Sequence, residues 1–126
     1  MKTHYAVAIA MLAGVAIGAI GVQSLHAQAT PKAYIITEVT VIDQTAADAY
    51  FPKVAAVVKA AGGTFLARGG QVVSFEGEAP KRVTVTVYDS LEKAKAIRTT
   101  ESWKALQPER AKAIKATSYA VEGLPN

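Results

Sequence analysis

The chain has 126 residues, 14 Lys and Arg against 10 Asp and Glu, two His and no Cys, with a net charge of +4. That length holds one small domain. The missing cysteines exclude disulfides, thiolate metal sites and a Cys nucleophile.

The N-terminus opens with Lys2, and no charged residue occurs among the 17 positions from Ala6 to Val22. A positive start, an apolar stretch and a short polar region ending in small residues form an export signal, with cleavage expected after Ala27; Ala29 is the alternative cut. The competing reading is a retained anchor, since 17 apolar residues sit at the lower limit for crossing a bilayer. The expected organisation is a signal over residues 1–27, a flexible lead over 28–32, a domain over 33–123 and a tail over 124–126. Both histidines, His4 and His26, precede the cut, so the delivered domain, periplasmic or secreted, has no imidazole. This excludes His/Cys zinc sites, His-ligated haem and a Ser-His-Asp triad. No acidic cluster resembles a calcium loop; no metal site and no cofactor are expected. The basic residues are dispersed, without a basic-aromatic stripe, which argues against nucleic acid as a partner.

From Ala33 to Ile42 the β-branched, partly alternating run predicts a strand. Asp43 to Ala61 changes to helical spacing and stops at Gly62-Gly63, with Pro52 expected to kink or restart the helix. Thr64–Ala67 and Gln71–Phe75 read as two strand pieces around a bend at Arg68-Gly69-Gly70. Glu76 to Pro80 is a turn. Arg82–Tyr88 is the clearest strand, with valines alternating against Arg82, Thr84, Thr86 and Tyr88. Ser90 caps a helix, a second helical piece carries Trp103 and Leu106, and Pro108 starts a last helix through Ile114. Thr117–Glu122 closes as a strand.

The order strand, helix, strand, strand, helix, strand is the ferredoxin-like split βαβ arrangement, an α+β sandwich with helices on one face of an antiparallel sheet. The valine side of the 82–88 strand is expected to meet the helices, sending Arg82, Thr84, Thr86 and Tyr88 to the opposite face. In the first strand Tyr34, Ile36 and Ile42 share that second face with Glu38. Such a face is too apolar for open water, which predicts a homodimer.

The run from Gly62 to Gly70, GGTFLARGG, followed by Glu76-Gly77, Arg82, Tyr88-Asp89-Ser90, Glu101-Ser102-Trp103, Leu106 and Arg110, resembles the domain-of-unknown-function family 1330. The resemblance spans about Ala33 to Gly123 and implies the dimeric α+β barrel superfamily, in which two ferredoxin-like sheets meet. It implies no established reaction, although superfamily relatives include cofactor-independent monooxygenases, isomerases and haem-degrading enzymes. Two departures stand out. Val87-Tyr88-Asp89-Ser90 replaces an ending that carries a strand carboxylate in the family, and Ile97-Arg98 replaces an aromatic residue.

The candidate ligand-binding residues are Arg68, Glu38, Arg82, Tyr50 and Trp103, with Gly69 and Gly70 shaping the turn; no catalytic residue is assigned. Arg68 beside a glycine pair suits a carboxylate held by its guanidinium, and its bland role is a salt bridge to Glu38 or Glu76. Glu38 on a partly apolar face is a candidate base if buried, or a structural partner of an arginine. Tyr50 and Trp103 have core spacing, and Arg82 and Arg110 match family positions. Three functions follow: a binder of a small organic molecule between sheet and helices, a non-catalytic module of the cell envelope, or a monooxygenase- or isomerase-like enzyme.

Overall fold

The computed structural model describes residues 30–125; the predicted signal, its cleavage points and the retained-anchor reading lie outside them. Pro31–Leu124 form a compact unit. Its elements are β1 (Ala33–Val41), α1 (Gln44–Ala60), β2 (Thr64–Arg68), β3 (Arg82–Tyr88), α2 (Leu91–Ala96), a 3-10 turn (Ile97–Thr99), α3 (Glu101–Ala105), α4 (Gln107–Ala113) and β4 (Ile114–Glu122). The four strands form one sheet in the order β2-β3-β1-β4, with every neighbouring pair antiparallel. This is the ferredoxin-like α+β fold expected from the element order.

Helix starts follow side-chain chemistry. Asp43 caps α1 by accepting from the Ala46 amide at 3.0 Å, and Ser90 caps α2 through the Lys93 amide at 3.1 Å. Thr100 ends the 3-10 turn and caps α3 by accepting from the Trp103 amide. α1 runs unbroken through Pro52, where the sequence predicted a kink or a restart. Pro52 and Asp48 are both exposed, so the carbonyl deprived of its helical donor has access to water.

Two further expectations are corrected. Residues 71–75 form no strand; the chain from Gly69 to Lys81 is a loop, with Phe75 95% exposed. β2 is an edge strand paired only with β3, and Gly69, at φ +70°, turns the chain out of the strand directly after Arg68, so Gln71–Phe75 leaves the free edge of β2 unpaired. The faces of β3 are also the reverse of expectation. Ala33 lies opposite Tyr88, Ile35 opposite Thr86, Thr37 opposite Thr84 and Val39 opposite Arg82. Cross-strand partners share a face, and Tyr88 packs with Val58, Ile97 and Trp103 of the helical layer. Arg82, Thr84, Thr86 and Tyr88 therefore face the helices.

The valines consequently join the outer face, where Tyr34 opposes Val87, Ile36 opposes Val85 and Glu38 opposes Val83. On β4 the same face adds Tyr119 and Val121, each 47% exposed. It is more apolar than the sequence reading assumed.

An irregularity in β2 adjusts the inner face. Phe65 pairs with Thr86 and Arg68 with Thr84, with the register shifting between Phe65 and Ala67. Phe65 and Arg68, three residues apart, thereby lie on the same side, which a regular strand would not allow.

Candidate functional site

Between the inner sheet face and the helices lies a cavity of about 80 Å³. α1 contributes Tyr50 and Phe51, β2 Phe65 and Arg68, β3 Arg82, Thr84, Thr86 and Tyr88, and the helical segment after β3 supplies Arg98, Trp103 and Arg110. Aliphatic residues of β1 and α1 complete the wall. Its volume suits a compact molecule, not an extended chain.

Four arginines enter this space, and no Asp, Glu, Asn or Gln lines it. Among the described residues the ion pairs are Lys53–Glu109, Lys93–Asp89, Lys95–Glu92 and Lys104–Glu101. None involves a cavity arginine. Each guanidinium lies instead over a ring: Arg82 is 4.3 Å from the Phe51 centroid, Arg68 is 4.7 Å from Phe65, and Arg98 and Arg110 are 4.1 and 5.2 Å from Trp103. The negative π faces hold the cations weakly and leave their N–H edges free for an anion.

The arginines do have some neutral partners. Arg110 Nη1 donates to Tyr50 Oη at 2.8 Å, and Arg98 Nη2 donates to Ser118 Oγ at 2.8 Å. Ser118 is also tied to the Thr37 hydroxyl at 2.9 Å. Arg98 keeps solvent contact as a residue, yet the packing around its guanidinium strips away enough water to draw its pKa below the ordinary arginine value. The neighbouring Arg110 charge acts in the same direction. Two crowded like charges make a favourable place for a negative one.

Two polar atoms are buried without a hydrogen-bond partner among the described residues: Tyr88 Oη and Arg82 Nε. Leaving such a group unpaired costs about 1–3 kcal/mol. Burial pushes the Tyr88 phenol up, and the nearby Thr86 hydroxyl and Arg98 charge offset this only in part; the phenol stays protonated at neutral pH. Both side chains fit against glycines. A Cβ on Gly63 would lie 2.7–2.8 Å from the Tyr88 ring and hydroxyl, and one on Gly69 would lie 2.5 Å from Arg82 Nη1. Gly69 also has φ +70°, a conformation other residues rarely adopt. Gly70 has neither constraint.

The structure therefore brings together Arg68, Arg82, Tyr50 and Trp103, and separates Glu38 from them. Glu38 has the parity of Ile36 on β1, so its carboxylate lies on the outer face and accepts from Tyr119 Oη at 3.3 Å. Neither of the salt bridges considered for Arg68 forms. Arg98, Phe51 and Tyr88 were not among the sequence candidates. Arg98 stood out only as the replacement of an aromatic, and Tyr88 was assigned to the wrong face; the glycines at 63 and 69 are the signal that marks the inward side of β3. Among the described residues no group of His, Cys, Asp or Glu has metal-binding geometry, and no helix is long and apolar enough to cross a membrane.

A family model described as a domain of unknown function, DUF1330, matches residues 32–124. No curated protein matches. Among solved structures, the RPA0582 protein of unknown function from Rhodopseudomonas palustris is similar, with a TM-score of 0.62 and 14% identity over 83% of this chain and 92% of that one. SnoaB, a cofactor-independent oxygenase from Streptomyces nogalater, aligns with a TM-score of 0.57 and 9% identity over 77% of this chain and 97% of that one. At these identities the likeness is one of fold, that of the dimeric α+β barrel proteins.

Proposed function

We propose that this chain, which belongs to the DUF1330 family, is an exported homodimer that holds a small organic anion in the cavity of each protomer. The observation that carries this reading is the set of four arginines lining the cavity, Arg82 and Arg110 partly buried and Arg68 and Arg98 solvent-exposed as residues, with no carboxylate among the lining residues. A folded protein seldom concentrates uncompensated charge around an apolar space unless something of opposite charge completes it. The rings of Phe51, Phe65 and Trp103 favour an apolar, preferably aromatic, body, and the guanidinium edges favour a carboxylate. Binding without catalysis suffices for this arrangement. A cofactor-independent oxygenase shares the fold, but fold alone does not transfer a reaction.

The test is titration of the purified protein with benzoate, followed by the fluorescence of Trp103, the single tryptophan, and by calorimetry. Saturable binding is expected, weakened about 10- to 100-fold by Arg110→Ala. Benzoate binding that is absent, or unchanged by that substitution, would sink the proposal.

Export rests on the apolar leader and the small residues at Ala27 and Ala29. N-terminal sequencing of protein recovered from outside the cytoplasm should begin at Gln28; an intact Met1 on cytoplasmic protein would overturn this part.

A further inference from the structure

We infer that the bound acid carries a second oxygen, and that Tyr88 is the residue that recognises it: the site selects an aromatic hydroxy- or oxo-carboxylic acid over a plain one. This rests on the anion reading above and narrows it to a ligand class. The polar inventory of the cavity is one-sided. Its charged groups are guanidiniums, which only donate; the Tyr50 oxygen already accepts from Arg110, the Thr37 hydroxyl is tied to Ser118 behind the wall, and the hydroxyls of Thr84 and Thr86 share the wall with Tyr88. A ligand with one carboxylate satisfies the arginines and brings no acceptor to the Tyr88 phenol, which has only the Thr86 hydroxyl nearby.

Tyr88 is 2% exposed, its hydroxyl has no partner among the described residues, and it lies on the cavity wall. The edge of its ring and its hydroxyl lie against Gly63, where any larger residue would collide with them. Packing alone would be served by phenylalanine, which leaves no polar atom unpaired. A buried phenol that remains neutral is a single, fixed donor. Its complement is an uncharged carbonyl or hydroxyl oxygen, whereas the carboxylate is drawn to the arginines.

The deciding experiment compares ring-substituted benzoates: the hydroxybenzoates and formylbenzoates against the methylbenzoates, which match them in size without the oxygen. For wild-type protein at least one oxygenated isomer should bind about tenfold or more tighter than its methyl counterpart. Tyr88→Phe should abolish that preference while leaving methylbenzoate affinity within about twofold. Circular dichroism of the variant should match wild type and its unfolding midpoint should be equal or higher, since only an unpaired buried hydroxyl is lost. Equal binding of oxygenated and methyl acids, or a preference that survives Tyr88→Phe, overturns the inference while leaving the anion site intact. Failure of every acid to bind overturns the anion reading, and this inference with it.

Discussion

Trp103→Ala is expected to remove about 3–5 kcal/mol of folding stability, read as a lower midpoint in urea unfolding monitored by far-UV circular dichroism. The indole is 7% exposed and belongs to the cluster that joins Ala33, Ile35 and Tyr88 of the sheet to Val58 and Ile97 of the helices. The helices around it are short, five and seven residues for α3 and α4, too short to persist without tertiary contacts. Trp103 is what they fold against. Removing it also takes away the ring under Arg98 and Arg110, so two crowded cations lose their platform together. For a domain of this size the loss is a large share of a total of about 5–15 kcal/mol. A midpoint shift equivalent to less than about 1 kcal/mol would mean that the ring is dispensable and the helical layer is held elsewhere.

Ile36→Glu is expected to turn a dimer into a monomer. Ile36 lies at the middle of the outer face, opposite Val85 on one side and Tyr119 on the other. In a two-fold interface each substitution counts twice, and an unpaired carboxylate placed in an apolar contact costs about 3–5 kcal/mol per copy. The inner face is untouched, so secondary structure should persist. Light scattering at micromolar concentration separates the outcomes: wild-type protein that is already monomeric, or a variant that remains dimeric, argues that the outer sheet face is not the contact.

The element order was legible because each local signal agreed with the whole: the strand at 33–42, the helix stopped by Gly62-Gly63, and the alternating run at 82–88. What alternation could not supply was the direction of the two faces of β3. Period two says that Val83, Val85 and Val87 share a side; it does not say which layer that side meets. The usual preference for valine toward the helices failed here because both sheet faces are covered or apolar, and the inner one is reserved for larger, more polar side chains. Cross-strand register, which sequence does not carry, settles the matter through Ala33 opposite Tyr88. The same error kept Tyr88 out of the candidates and put Arg82, a candidate all the same, on the opposite face, whereas Glu38 lies on the face expected for it and does not line the cavity. The strand expected at 71–75 had the right composition, but the turn at Gly69 carries it out of β2 and away from the sheet. Arg98 and Trp103 meet across a break between a 3-10 turn and a helix, a spacing that no regular periodicity flags.

The shifted register in β2 bears on how relatives of this chain should be read. Because one extra residue sits between Phe65 and Arg68, the count along the strand, odd or even, decides whether a guanidinium points at the cavity or at the opposite side of the sheet. A homologue that keeps every residue type but lacks that insertion would carry the same letters and a differently charged pocket. Membership of the site is inherited through spacing as much as through identity, and an arginine preserved in an alignment is preserved in function only where the bulge is preserved with it.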